Sequence, residues 1–172
     1  MDFIESVILT RASVRSFTGQ AVSKDLLTRI ARAGMAAPSA VNVQPWELVV
    51  VTSRETLDAL CRNLPYAKML DKAGAAFVVC GNPAKDAVAK LHWVEDCSAV
   101  TENILLAVHS LGLGAVWTAV HPDQARVAAV RKILGIPETI VPLNVIPVGV
   151  IGGNAPAPKD KFNPKALHFD RW

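Results

Sequence analysis

Residues 11–17 concentrate groups that bind anions. If this segment is extended, Arg11, Ser13 and Arg15 lie on one side of it, because alternate side chains of an extended chain point the same way. A planar guanidinium donates two parallel hydrogen bonds to a phosphate and keeps its charge at any physiological pH. The spacing therefore indicates a phosphate-binding segment, although a solvated basic turn after a helix fits the same residues.

A second polar stretch, residues 38–46, lies between a predicted helix and a predicted strand. Its two prolines stiffen it, while Ser39, Asn42 and Gln44 offer the donors and acceptors that read the edge of a planar heterocycle. An ordinary connection between a helix and a strand uses the same residue types. The stretch is therefore either a binding loop or a plain connection.

The cysteines, histidines and glycines form no metal or Rossmann pattern. Cys61, Cys80 and Cys97 lie in apolar surroundings without a Cys-x-x-Cys pair, which predicts free, buried thiols in a reducing compartment. The four histidines have no ligand spacing. Gly112 and Gly114 follow a helix and precede a strand, the reverse of the order that a dinucleotide fingerprint requires. We predict neither a metal site nor a Rossmann site.

The composition predicts one folded domain over residues 1–172. A chain of 172 residues, 51% of them apolar, is large enough to bury a core and too apolar for disorder. Its positive mean hydropathy suggests an oligomer. A net charge of +3 with scattered cations favours neither nucleic acid nor an anionic membrane as a partner. Without a leader pattern or an apolar run of about 20 residues, we expect a cytoplasmic protein.

Hydrophobic periodicity and turn residues predict the elements that position these segments. Helices are expected over residues 2–10, from Ser23 until before Pro38, from Ser53 to about Asn63, from about Ala87 to Leu111, and from Pro122 to about Leu134. Strands are expected over residues 47–52, 75–80, 115–120 and 143–151, with a short turn at 68–71 and a coil leading into the tail 161–172.

Four motifs, in order along the chain, resemble the short form of the nitroreductase family of flavin enzymes. They are Arg-x-Ser-x-Arg-x-Phe at 11–17, Pro-Ser-x-x-Asn-x-Gln-Pro-Trp at 38–46, the passage 103–117, and the tail that ends in Trp172. The resemblance implies an α+β, three-layer fold with a mixed central β-sheet flanked by helices. It also implies an obligate homodimer with one FMN in each of two sites at the subunit interface.

The resemblance further implies cofactor contacts at particular residues. Arg11 and Ser13, with Ala12 between them, are expected at the FMN phosphate, and Arg15 nearer the ribityl and pyrimidine groups. The loop residues expected to reach the cofactor from the partner subunit, or to support that loop, are Pro38, Ser39, Ala40 and Asn42. The remaining expected contacts are Asp96 at the ribityl group or flavin, Trp117, Thr118 and Ala119 at the N5 edge, and Lys165 at the phosphate, where Arg171 is the other candidate. Lys68 is expected to add positive charge where reduction leaves negative charge on the flavin, although a solvated surface lysine fits it equally well.

The activity that the resemblance implies is electron transfer through the flavin. NADH or NADPH would pass a hydride to N5 and leave, and a nitroaromatic, quinone or activated alkene would then take its place as electron acceptor. No side chain is expected to act as a catalytic acid or base. Two alternatives stay open: an FMN carrier or redox-sensing module without turnover, and a phosphate-binding enzyme unrelated to flavin.

Overall fold

The structure, a computed structural model, describes residues 2–172. Within these residues the α-helices are α1 (Lys24–Met35), α2 (Arg54–Asn63), α3 (Ala87–Ser110) and α4 (Gln124–Leu134). The strands are β1 (Trp46–Val51), β2 (Ala75–Gly81), β3 (Gly114–Ala115), β4 (Thr118–Ala119) and β5 (Val141–Gly149). Short helical turns cover Ile4–Ile8, Ala40–Asn42, Lys68–Asp71 and Pro164–Ala166.

The sheet has the order β1-β2-β5-β3, and β4 also pairs with β5. β3 pairs near the end of β5 at Gly149, and β4 pairs closer to its middle at Val145. An isolated bridge between Phe17 and Ile151 attaches the N-terminal segment to the same sheet. Each of these pairings is antiparallel. The sheet, which was expected to be mixed, is therefore antiparallel within residues 2–172 of one subunit.

Helices cover both faces of the sheet. Strand β2 is buried at every position, and its alternate residues belong to two separate hydrophobic clusters. One cluster joins Phe77 and Val79 to α1 and α3, while the other joins Val78 and Cys80 to α2 and α4. A strand buried on both faces is continuously apolar, as residues 75–80 are. The predicted α+β class and three-layer arrangement are confirmed.

The predicted helix ends are confirmed by their capping contacts. Ser23 accepts a hydrogen bond from the Leu26 amide at 3.3 Å, and Ser53 accepts one from the Thr56 amide at 3.4 Å. After α3, Gly112 adopts a φ of +72°, a left-handed conformation that glycine tolerates without steric cost. These local contacts fix where α1, α2 and α3 begin or end.

Two predicted elements differ in the structure. The strand expected over 115–120 is divided into β3 and β4, because the chain leaves the ladder at Val116 and Trp117 before pairing again further along β5. The helix expected over 2–10 is a π-helical turn, Ile4–Ile8, in which Val7 is buried. Ile4 and Ile8 are 56% and 45% exposed, so the apolar face of this turn is not covered within the subunit.

The tail is exposed at every position from 153 to 172. Its large apolar side chains include Phe162, Phe169 and Trp172, the last of which is fully exposed. The ring of Trp172 stacks on His168 with 4.4 Å between centroids. No helix within residues 2–172 has the combination of length and apolarity needed to cross a bilayer.

Candidate functional site

Hydrogen bonds fix the N-terminal segment in an extended conformation at the sheet edge. The Val14 amide donates to the Ala115 carbonyl at 2.9 Å, and the Thr18 amide donates to the Val150 carbonyl at 3.0 Å. Val14 is buried against Gly114, where an added Cβ would lie only 2.6 Å from the valine side chain. With Val14 turned inward, the adjacent Ser13 and Arg15 are left exposed.

A pocket of about 390 Å³, which we call the basic pocket, lies between this segment and the tail. Its lining residues are Arg11, Ala12, Ser13, Arg15, Pro156, Ala157, Lys159 and Lys161. The charged members of this set are all cationic, and they come from two distant parts of the sequence. The pocket therefore has the electrostatic character of an anion site, with the Ser13 hydroxyl as an additional donor.

An ion pair with helix α3 orients Arg11, which lines the basic pocket. Its Nε lies 3.3 Å from Oε1 of Glu102, and the arginine side chain is only 17% exposed. Nearby, Nε2 of His109 lies 2.8 Å from Oγ1 of Thr10. Burial and the charge of Arg11 lower the pKa of His109, which favours the neutral imidazole. Arg11 is therefore the least exposed cation of the basic pocket, and Glu102 orients it.

A second pocket of about 480 Å³, the Trp117 pocket, shares one residue with the basic pocket. It is lined by Arg15, Tyr66, Lys68, Met69, Val116, Trp117, Thr118 and Ala119. The shared residue is Arg15, which lines both. Thr118 donates its hydroxyl to the Val145 carbonyl at 2.6 Å, so this side chain is held by the sheet. The two pockets adjoin, one cationic and one partly aromatic.

Arg54, which the sequence reasoning missed, holds the turn that carries Lys68 and Met69. Its guanidinium donates to the carbonyls of Leu70 and Ala73, the latter at 3.0 Å, and its Nε donates to Asp58 at 2.8 Å. Hydrogen bonds from a charged donor such as this guanidinium contribute more to stability than hydrogen bonds between neutral groups. In the sequence Arg54 appeared only as a polar residue in the first turn of a helix, so nothing indicated this role.

The expected loop residues Pro38, Ser39, Ala40 and Asn42 line neither pocket. The loop is stabilised internally. The Gln44 amide donates to Oγ of Ser39 at 2.9 Å, and its side-chain amide donates to Oδ1 of Asn42 at 3.2 Å. Asn42 and Val41 adopt φ values of +59° and +41°, which asparagine tolerates better than valine. This strained tip presents an 81% exposed Val41 to the outside of the subunit.

Asp96 contacts the loop and not the pockets. Its Oδ1 accepts a hydrogen bond from the Ala40 amide at 3.0 Å, while Oδ2 is buried without a hydrogen-bond partner among residues 2–172. The residue is 6% exposed and lies in the middle of α3. Asp96 was expected from the sequence to contact the cofactor. Within the subunit it instead holds the loop at residues 39–40.

Lys165, expected at the phosphate, lies in the exposed turn Pro164–Ala166 and does not line the basic pocket. The tail cations that do line it are Lys159 and Lys161. Both lie in a coil, where no periodicity indicates which side chains share a face. Which tail cations line the pocket therefore depends on the path of the chain, which the sequence does not show. The Lys-x-Lys spacing, which puts two cations on one side of an extended segment, was the available indication.

Comparisons with known proteins identify the family of this chain. The model of the nitroreductase family matches residues 8–64 and 58–150. A protein of Methanothermobacter thermautotrophicus, assigned by name as NADH dehydrogenase/NAD(P)H nitroreductase, is 41% identical over 172 residues, which are 100% of this chain and 88% of the relative. A crystal structure of a protein with the same assignment from Parabacteroides distasonis is 46% identical, with a TM-score of 0.92 and coverage of 99% and 98% of the two chains.

A more distant structure, an FMN-dependent nitroreductase from Clostridium difficile, is 28% identical. Its TM-score is 0.86, and the match covers 94% of this chain and 96% of that chain. The matched region of the family model begins before the segment that holds Arg11 and ends after strand β5. It therefore includes every strand of the sheet and the three segments that line the Trp117 pocket. On this evidence, the chain belongs to the nitroreductase family.

Proposed function

We propose that this protein is an FMN-dependent NAD(P)H oxidoreductase. The observation that supports it best is that Arg15 lines both the basic pocket and the Trp117 pocket. A ligand with a dianion at one end and a planar ring at the other would use both pockets at once, and FMN has this form. The relative from Clostridium difficile named as an FMN-dependent nitroreductase supports the same cofactor.

The residues present fit FMN by their chemistry. Arg11 and the two tail lysines, Lys159 and Lys161, would neutralise the phosphate, and Ser13 would donate a further hydrogen bond. Ala12 would contribute its backbone. On the other side of Arg15, the segment Trp117, Thr118 and Ala119 would border the ring together with Lys68. In this proposal Lys159 and Lys161 take the part expected of Lys165.

When bound, FMN would accept a hydride from NADH or NADPH and deliver electrons to a nitroaromatic, a quinone or an activated alkene. The chain's own contribution is position and electrostatics. Arg15 and Lys68 place two positive charges at the Trp117 pocket, where they stabilise negative charge that develops on a reduced ring. Arg54 keeps Lys68 in place through the Leu70 and Ala73 carbonyls.

We also propose a homodimer with the cofactor at the subunit interface. Within residues 2–172 of one subunit, apolar side chains at both ends of the chain are uncovered, including Ile4, Ile8, Phe169 and Trp172. Exposed apolar groups of this size are typical of a surface that a partner covers. In the dimer the loop of Pro38, Ser39, Ala40 and Asn42, anchored by Asp96, would approach the cofactor of the partner subunit.

The purified protein tests the proposal in three measurements. We expect a yellow protein whose visible spectrum has paired flavin bands, about one FMN released per chain on denaturation, and a dimeric mass by analytical ultracentrifugation. NADH or NADPH should be oxidised in the steady state when a quinone is added. Full FMN occupancy without turnover would favour a carrier or redox sensor instead. A colourless protein that does not take up FMN would contradict the flavin assignment altogether.

A further inference from the structure

Tyr66 lines the Trp117 pocket from a hydrogen-bonded turn, at the exposed side of the pocket. It follows Pro65 in a turn closed by a hydrogen bond from the Ala67 amide to the Leu64 carbonyl at 3.3 Å. Leu64 and Ala67 are buried, yet Tyr66 between them is 71% exposed. A turn anchored on both sides therefore presents a large aromatic ring to the opening of the pocket that it lines.

Arg126 covers one part of this ring. Its guanidinium carbon lies 5.1 Å from the ring centroid of Tyr66, within the range of a cation–π contact. The guanidinium is itself fixed, because Nε lies 3.1 Å from Oδ2 of Asp123 and another nitrogen donates to the Ala119 carbonyl at 3.4 Å. Arg126 thus connects the start of α4, strand β4 and the Tyr66 ring.

This arrangement holds a side chain that would otherwise rotate freely at the surface. Tyrosine has only two side-chain torsions, so fixing its ring costs little conformational entropy, and a ring fixed in advance binds a second planar group more favourably. The Tyr66 ring lies outside both hydrophobic clusters, so its contact with Arg126 adds no buried apolar packing to the subunit. The position of Tyr66 at the exposed side of the pocket therefore points to a ligand.

We infer that Tyr66 is a specificity-determining residue that stacks on the planar ring of a substrate entering the Trp117 pocket, and that Arg126 is the residue that positions it. The inference rests on the proposed function. Two substrates share the required chemistry: the nicotinamide ring of the reductant and the aromatic ring of the oxidant. Non-planar electron acceptors gain nothing from Tyr66, so the residue discriminates between classes of acceptor.

Chemical labelling tests the contact without turnover. Tyr66 is the only tyrosine in the chain, so acetylation of the FMN-loaded protein by N-acetylimidazole, followed by peptide mass spectrometry, reports on this ring alone. We expect NAD⁺ or 4-nitrobenzyl alcohol to slow the labelling, whereas ADP-ribose, which lacks the nicotinamide ring, should not. Protection by one probe alone identifies which of the two rings stacks. Equal labelling with and without both probes would overturn the inference.

Kinetics of matched variants give a second test. Tyr66→Leu should raise KM for 4-nitrobenzyl alcohol by about three- to tenfold, the range expected for losing an aromatic pair, while Tyr66→Phe stays near wild type. The kcat/KM for ferricyanide, which is not planar and reacts only with the reduced enzyme, should be unchanged in both variants. Arg126→Met should reproduce the Tyr66→Leu effect in part, and Arg126→Lys, which keeps a cation over the ring, should restore it.

The two proposals fail in different ways. A wild-type protein that binds no FMN, or that oxidises neither NADH nor NADPH, would contradict the proposed function, whatever the variants do. A wild-type protein that carries FMN and turns over, but whose KM values are the same in Tyr66→Leu, would contradict only the role of Tyr66. FMN content measured for each variant separates a loss of substrate contact from a loss of cofactor.

Discussion

The guanidinium of Arg11 is held by the carboxylate of Glu102, whose Oε1 lies 3.3 Å from Nε. An ion pair with one partly exposed member contributes little to stability, on the order of 0–1 kcal/mol. We therefore expect Glu102 to orient Arg11 while a bound phosphate provides the stronger interaction. Arg11→Ala should weaken FMN binding by about 2 kcal/mol or more, the value of a charge-assisted hydrogen bond.

The isosteric variant Glu102→Gln is the matched control for this prediction. It keeps the shape of the side chain and removes its charge, so the FMN dissociation constant should change by less than about fivefold. Fluorescence quenching of FMN on titration with apoprotein measures both variants. An Arg11→Ala protein that binds FMN as tightly as wild type would remove Arg11 from the phosphate site.

The tail cations can be separated by single substitutions. Lys159→Gln and Lys161→Gln should each weaken FMN binding by about tenfold, because both line the basic pocket beside Arg11 and Arg15. Lys165→Gln should change it by less than about twofold, since an exposed charge outside the pocket is screened by salt. The three dissociation constants, measured at one ionic strength, decide the question. The opposite order would return the phosphate contact to Lys165.

Thiol titration should show the difference between the three cysteines. Burial is the main cause that raises the pKa of Cys80 and of Cys97 to about 12, so their thiolates are rare at neutral pH. Cys61 is partly exposed. A thiol reagent such as Ellman's should therefore modify at most one cysteine per native chain and all three after denaturation. Native Cys61→Ser should react with none, and a second reactive thiol would contradict the burial.

Stability should fall as the solution is acidified. Burial lowers the pKa of His109 and of His121, with Arg11 adding to the effect at His109, so the folded protein binds these protons less readily than the unfolded chain. The stabilisation from neutral histidine is complete above the unfolded pKa of 6.5 and is lost as the pH falls below it towards the lowered pKa values. The melting temperature should therefore decrease between about pH 7.5 and about pH 5.5.

The histidine origin of this decrease is tested by His109→Asn, in which a neutral amide can still contact Thr10. The variant should lose less of its melting temperature on acidification than wild type. His92→Asn, at an exposed position of α3, is the matched control and should follow the wild-type curve. An unchanged pH dependence in His109→Asn would assign the acid sensitivity to other groups.

The stability of the fold should depend on one buried hydrogen bond, between Asn144 and Thr101. The Asn144 side-chain amide donates to Oγ1 of Thr101 at 2.8 Å, and both residues are fully buried. Thr101→Val leaves that amide without an acceptor and should cost about 1–3 kcal/mol of unfolding free energy. Thr28→Val, which removes an exposed hydroxyl bonded to the Lys24 carbonyl, should cost less than about 0.5 kcal/mol. Urea denaturation measures both.

The sequence predicted best what depends on short-range physics. The shared face of Arg11, Ser13 and Arg15 follows from the two-residue period of an extended chain, and the ends of α1, α2 and α3 follow from their caps. The break between β3 and β4 was missed, because it depends on which residues of β5 lie opposite, and no local pattern encodes that register.

The site was predicted less completely for the same reason. Asp96 carries no indication in the sequence that it accepts the amide of Ala40, since the two are brought together only when α3 packs against the loop. The contact of Tyr66 with Arg126 joins a turn to a helix of the same layer across 60 residues. Contacts of this kind are set by tertiary packing, and residue type alone does not identify them.

The exposure of residues 153–172 makes the tail of a single subunit accessible to proteases. Proteases cut first where the backbone is extended and unprotected, and this tail offers them aromatic and aliphatic side chains. Cleavage there would detach Lys159 and Lys161, and with them half of the positive charge of the basic pocket. If the subunits pair and hold FMN as proposed, we expect an unpaired copy to lose this tail first and with it part of its affinity for the cofactor.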